Sequence, residues 1–131
     1  METQNIHHRQ RILVVDDEKG VREMIQSFLT TEGYLVTTAE DGIDALGKLQ
    51  DDSYDLLITD LAMPNMDGLE LIDSVCRRRP KINSLIITGS PIESIPKYVE
   101  QRGVFACISK PFPLNYLSQM VRKGLDRTKL C

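Results

Sequence analysis

The stretch Ile12-Leu13-Val14-Val15-Asp16-Asp17-Glu18 runs four apolar residues straight into three carboxylates. Its apolar part is continuous rather than alternating. That suits a strand covered on both faces, as in a parallel sheet. Working outward, short runs of similar character recur at Tyr34-Leu35-Val36, Leu56-Leu57-Ile58, Leu85-Ile86-Ile87 and Val104-Phe105-Ala106-Cys107-Ile108. Between them lie amphipathic segments. Val21, Met24, Ile25, Phe28 and Leu29 follow helical spacing, and Gly33 stands at a helix stop. Residues 42–50 form a second segment, with Ile43, Leu46 and Leu49 expected to face inward. Leu69, Ile72, Val75 and Cys76 mark a third, and Arg77, Arg78 and Arg79 close it where cations suit the helix dipole. A weaker fourth segment carries Ile95 and Val99, with Pro96 tolerable only in a first turn. The fifth runs from about Leu114 through Leu117 and Val121 to Leu125.

This alternation is a (βα)5 chain of the α/β class. Right-handed crossovers put helices on both faces of the sheet, and five strands fit the flavodoxin-like order 2-1-3-4-5 in a three-layer sandwich. A closed eight-stranded barrel needs roughly twice the length. The 131 residues suffice for one domain, which we place at residues 10–128. A flexible N-terminus (1–9) precedes it and a short tail (129–131) follows. Any output module would then act in trans or lie beyond this stretch.

With 41% hydrophobic and 27% charged residues the chain is ordinary for a globular domain. A formal net charge of −3 argues against direct nucleic-acid binding. Apolar runs of four or five residues are far too short for a membrane span, and no signal segment opens the chain. The three cysteines, Cys76, Cys107 and Cys131, include no CxxC pair. Neither a disulfide framework nor a zinc ribbon is expected, and a cytoplasmic location fits. His7 and His8 lack further ligands for a metal site.

Chemistry collects where the strands end. Asp16, Asp17 and Glu18 follow the first strand, Asp60 the third, Thr88-Gly89-Ser90 the fourth and Ser109-Lys110-Pro111 the fifth. A parallel sheet brings these ends to one edge, and strands 1 and 3 flank the point where such folds bind ligands. Clustered carboxylates repel one another unless a cation neutralises them. An all-oxygen cleft suits Mg²⁺. A carboxylate nucleophile, a divalent cation and a lysine together make a phosphoryl-transfer site.

Asp16-Asp17, Asp60 with Met63-Pro64-Asn65-Met66-Asp67-Gly68 behind it, Thr88, and Lys110-Pro111-Phe112 resemble the receiver domain of two-component response regulators. The resemblance implies a phosphorylation switch, not a conventional enzyme, that catalyses only its own phosphoryl transfer and hydrolysis. Asp60 would be the phosphoacceptor, charged by a sensor histidine kinase or a phosphotransfer protein. Asp17, Asp60 and the backbone carbonyl of Ala62 would ligate Mg²⁺, with Asp16 acting through a water. Lys110 would pair with the phosphoryl group, Thr88 would swing towards it, and the Lys110-Pro111 bond would be cis. The output partner would engage the helix 4, strand 5 and helix 5 face, built partly from Ile95, Tyr98, Val99, Cys107 and Leu117. A phosphorylation-dependent homodimer is a further partner of the same kind.

Two positions stand apart from the family pattern or tune it. Receivers usually carry an aromatic ring three residues before the lysine, where this chain has Cys107. The switch must then run through backbone movement, with Cys107 as a small buried filler. Ala62 leaves the second position after Asp60 without a group to orient water. The same alanine weighs against a haloacid dehalogenase-type phosphatase, which needs an aspartate there. A pseudo-receiver that binds partners without phosphorylation remains the nearer alternative. Asp67-Gly68 reads as the turn into the third helix.

Overall fold

The computed structural model describes residues 9–126. The elements run β1 (Arg11–Val15), α1 (Lys19–Thr31), β2 (Leu35–Ala39), α2 (Gly42–Asp51), β3 (Leu56–Asp60), α3 (Gly68–Arg78), β4 (Asn83–Thr88), two 3-10 turns (Ile92–Ser94 and Lys97–Arg102), β5 (Val104–Ser109) and α4 (Leu114–Asp126). The five strands form one sheet in the order β2-β1-β3-β4-β5, and every neighbouring pair is parallel. The three-layer α/β fold expected from the alternation is present.

Strand periodicity divides the core in two. Side chains alternate across a sheet, so Ile12 and Val14 of β1 pack with Ile25 and Leu29 of α1 and with Leu117 and Val121 of α4. Leu13 and Val15 turn to the other face and meet Ala45 and Leu49 of α2 and Leu71, Ile72 and Val75 of α3. Each large aliphatic side chain so buried contributes roughly 1.5–3 kcal/mol. Because β1, β3 and β4 are covered on both sides, each holds a continuous apolar run, at residues 12–15, 56–58 and 85–87. Edge strand β2 is only partly buried, which lets it hold Thr37 and Thr38. The strand therefore covers Leu35–Ala39 rather than starting at Tyr34 and ending before the threonines.

Three other expectations need correction. Ile43 does not face inward: it is 59% exposed, and Ala45 with Leu49 carries the buried face of α2. The expected fourth helix is not an α-helix but the two 3-10 turns. Pro91 and Pro96 each stand just before one of them, and Ile95 is extended ahead of Pro96. Proline has no N–H to donate and disfavours helical geometry in the residue before it, so no continuous α-helix forms there. Finally, Leu117 is 0% exposed and Val99 is buried, so neither is available to a partner. Tyr98 and Ile92 are exposed in their place, beside half-buried Ile95 and Cys107.

His7, His8, the residues before Arg9 and the expected 129–131 tail lie outside the described residues. Among the described residues no helix is long and apolar enough to cross a membrane.

Candidate functional site

The C-terminal edge of the sheet gathers the residues that the sequence singled out. Asp16 follows the last residue of β1, Asp60 is the last of β3, Thr88 the last of β4, and Lys110 follows β5. Lys110 Nζ lies 2.8 Å from Asp16 Oδ2, 3.0 Å from Asp60 Oδ2 and 3.1 Å from Glu18 Oε1. The contact with Asp16 is an ion pair without hydrogen-bond alignment, whereas Asp60 and Glu18 accept true hydrogen bonds. The other oxygen of Asp60, Oδ1, accepts from Leu61 N at 2.7 Å.

Charge is unbalanced here. Four carboxylates (Asp16, Asp17, Glu18 and Asp60) meet one ammonium. Burial pushes the Asp16 carboxyl above its ordinary value; Lys110 and the Glu18 backbone N–H counter part of that, and Asp60 adds to it. Burial also works against the Lys110 ammonium. Its contacts with Asp16, Asp60 and Glu18 outweigh that penalty and hold it charged well above the usual lysine range.

Carboxylate oxygens of Asp16, Asp17 and Asp60 lie within 4.8 Å of one another, with Asp17 exposed between two buried partners. This donor set is all oxygen, carries excess negative charge and is open to water on one side. It fits a hard divalent cation. The cavity in front of it measures ≈ 410 Å³ and is lined by Asp17, Glu18, Asp60, Ala62, Thr88, Gly89, Ser90 and Lys110. Ala62 lines the same cavity.

Thr88 is buried, and its Oγ1 accepts from Ser90 N at 3.0 Å. Lys110 N donates to Thr88 O at 2.8 Å, which ties the two loop starts together. The Lys110-Pro111 bond is cis. Cys107 is a half-buried free thiol beside the 3-10 turns, and burial, assisted by Glu100, holds it protonated above its ordinary value. It lines a groove of ≈ 400 Å³ with Ile92, Ile95, Val99 and Phe105 rather than the acidic cavity.

Several supporting residues escaped the sequence reading. Glu18 was visible beside the two aspartates, but its reach to Lys110 was not. Asn65 adopts a left-handed backbone (φ 71°), and its Nδ2 donates to Asp41 Oδ2 at 2.7 Å. Asp41 in turn caps α2 by accepting from Asp44 N at 2.8 Å. Asparagine's tolerance of that conformation was the available signal. Asp67 caps α3 in a reciprocal box with Glu70, so Asp67-Gly68 is the turn that was expected. A Cβ on Gly68 would lie 2.2 Å from the Asp60 carbonyl oxygen, so the glycine lets the helix start against the end of β3.

Known proteins resemble this chain in sequence and fold. The family profile described as the response regulator receiver domain matches residues 12–122. The chain is 36% identical over 124 residues to the transcriptional regulatory protein GlrR of Escherichia coli, covering 93% of this chain and 28% of that protein. It is 37% identical over 122 residues to the response regulator MprA of Mycobacterium ulcerans, covering 92% of this chain and 52% of MprA. This chain thus spans from about a quarter to about half the length of these curated relatives. Among solved structures, a CheY-like receiver domain protein of Methanospirillum hungatei superposes with a TM-score of 0.84 at 28% identity, covering 90% of this chain and 94% of that one. TrrA of Thermotoga maritima, solved in complex with Mg(2+)-BeF, superposes with a TM-score of 0.79 at 32% identity, covering 87% of this chain and 97% of that one. With the fold, the acidic edge and these matches in agreement, the chain belongs to the response regulator receiver domain family of two-component signalling.

Proposed function

We propose that Asp60 is the phosphoacceptor of this receiver and that its phosphorylation depends on Mg²⁺. The observation that carries the reading is the joint placement of Asp60 Oδ2 3.0 Å from Lys110 Nζ and within the Asp16, Asp17 and Asp60 oxygen cluster. A carboxylate oxygen of Asp60 attacks phosphorus, and the bond from phosphorus to the donor's leaving group breaks. With a sensor histidine kinase or phosphotransfer protein as donor, that bond is P–N and the imidazole departs with the electron pair. Asp17, Asp60 and the Ala62 backbone carbonyl would hold the metal, and Asp16 would act through a water. When bound, Mg²⁺ supplies charge neutralisation for the phosphoryl oxygens. Lys110 turns to a phosphoryl oxygen as a point charge, and Thr88 exchanges its bond to Ser90 N for one to the phosphoryl group.

The switch is a population shift. Moving a two-state equilibrium from mostly off to mostly on needs about 5.5 kcal/mol. One charge-assisted hydrogen bond supplies at most about 3, so Lys110, Thr88 and the metal act together. With Cys107 in place of an aromatic ring, the loop after β4 carries the change by backbone movement into the face made by the 3-10 turns, β5 and α4. That face, with Ile92, Ile95, Tyr98 and Cys107, is the docking surface for the output partner or for a second phosphorylated copy. The chain catalyses only its own phosphoryl transfer and hydrolysis, in the cytoplasm.

Asp60→Asn tests the assignment. With a small phosphodonor and Mg²⁺, the natural chain should acquire an acid-stable, base-labile acyl phosphate, and the variant should acquire none. Retained labelling in the variant would refute the site. Steady turnover of phosphate esters would instead assign a phosphatase, and an unlabelled natural chain would assign a pseudo-receiver.

A further inference from the structure

We propose that Glu18 is a positioning residue for phosphoryl transfer: it occupies one donor of Lys110 in the unphosphorylated chain and releases that donor to the incoming phosphoryl oxygen. The inference rests on the assignment of Asp60 as phosphoacceptor.

A lysine ammonium has three N–H donors and no acceptor. Three carboxylate oxygens already surround Lys110 Nζ, at 2.8, 3.0 and 3.1 Å. Two of its donors go to hydrogen bonds with Asp60 and Glu18, and the ion pair with Asp16 closes its third side. An incoming phosphoryl oxygen therefore displaces one of these contacts, and the three differ in what release entails. Asp16 is fully buried, and its Oδ2 has no hydrogen-bond partner beyond the ion pair. Withdrawing the ammonium from it would strand a buried charge. Asp60 carries the phosphoryl group itself, so its neighbourhood is where the lysine must stay. The Glu18 side chain is 62% exposed, and water can replace the ammonium there at small cost.

Local geometry leaves Glu18 free for this task. It occupies the N-cap of α1, yet its side chain makes no capping bond. Its backbone is fixed instead: Glu18 N donates to Asp16 Oδ1 at 2.9 Å, and its carbonyl accepts from Arg22 N at 3.1 Å. Only the side chain needs to swing. Glu18 thereby occupies a Lys110 donor until the phosphoryl oxygen arrives, and its departure accompanies transfer.

The test compares the natural chain with Glu18→Gln and Glu18→Asp, using acetyl phosphate and Mg²⁺. Glutamine removes the charge, and aspartate keeps the charge but is one methylene too short to reach. Both variants should take label at Asp60 about two- to fivefold faster, the scale of an exposed ion pair. Both should also shift the Lys110 ¹⁵Nζ resonance before any phosphodonor is added. If Glu18→Gln is faster while Glu18→Asp matches the natural chain, general repulsion of phosphate explains the effect and the proposal fails. It fails equally if the variants leave the lysine resonance in place and weaken Mg²⁺ binding measured by calorimetry, because Glu18 would then serve the metal. A natural chain that takes no label at Asp60 overturns the phosphoacceptor assignment itself, a result separate from either of these.

Discussion

The connections that follow β3 and β4 leave the same edge of the sheet and are built in opposite ways. After β3, Gly68 seats α3 against the Asp60 carbonyl, Asp67 and Glu70 cap the helix reciprocally, and Asn65 pins the preceding loop to Asp41. After β4, two 3-10 turns replace a helix, neither has a side-chain cap, and Val99 is their one buried residue. Their backbone bonds are short-range, such as Ser94 N to Pro91 O and Ile95 N to Ile92 O, each at 3.0 Å. Arg102, the last residue of the second turn, ties it to α3 by pairing with Asp73 at 2.9 Å and lies 5.5 Å from the centre of the Tyr98 ring. Short 3-10 pieces have poorer hydrogen-bond geometry than α-helix, and stability is not uniform across a fold. The difference teaches a division of labour: the acid we propose to react sits on a braced frame, and the hydroxyl we propose to move sits at the root of a yielding one.

Glycine substitutions should break this comparison most sharply. On the β3 side, a Cβ at Gly68 would meet the Asp60 carbonyl oxygen at 2.2 Å and Leu61 Cα at 2.8 Å. Both are backbone atoms and cannot rotate away. Gly68→Ala should therefore cost about 3 kcal/mol in urea unfolding. On the β4 side, a Cβ at Gly89 would meet nothing within 4 Å. Gly89→Ala should stay within about 0.5 kcal/mol of the natural chain. Equal losses in the two variants would remove the contrast.

The loop pin sharpens it next. Asn65→Gly keeps the left-handed backbone and deletes only the bond to Asp41, a loss of about 1.5 kcal/mol. Asn65→Ala adds the strain of that backbone and should lose about 1 kcal/mol more. The Asn65→Gly loss should also depend on pH. The Asp44 backbone N–H and then the Asn65 amide hold the Asp41 carboxyl below its ordinary value of 3.8. A carboxyl depressed in the folded state contributes stability above its unfolded value and loses it as pH falls through the folded value. The deficit of Asn65→Gly should accordingly be full at neutral pH and shrink as the medium is taken below about pH 3.8. A deficit constant down to strong acid would mean that Asn65 acts through the loop backbone alone.

How far these features could be read beforehand follows from their range. Continuous apolar runs ending in Asp16, Asp60, Thr88 and Lys110 announce both the parallel sheet and the edge where chemistry collects, because strand burial and strand ends are local properties of the chain. The pin between Asn65 and Asp41 spans 24 residues and the reach of Glu18 to Lys110 spans 92. Only the folded crossovers bring those partners together. Ile43 fails for a different reason: α2 packs through Ala45 and Leu49, so an apolar residue in its first turn is left outside. Pro96 was legible as a constraint, but its consequence depended on Pro91 five residues earlier.

Pro96→Ala is the gentlest intervention and the one that asks what makes the β4 side yielding. Alanine restores an N–H donor and is about 3 kcal/mol more favourable than proline inside a helix. It also releases Ile95 from its extended backbone. Against this, removing a proline frees the unfolded chain by roughly 0.4–1 kcal/mol, and Gly103, left-handed at φ 89°, still ends the segment. Global stability should move by less than about 1 kcal/mol, while Cα chemical shifts across residues 92–102 turn helical. If those shifts stay where they are, the 3-10 geometry is imposed by packing at Val99 and by the Arg102 to Asp73 pair, and slackness would have to be sought in the loop at residues 89–91. If they move, two prolines five residues apart are what keep this connection from becoming a second braced frame.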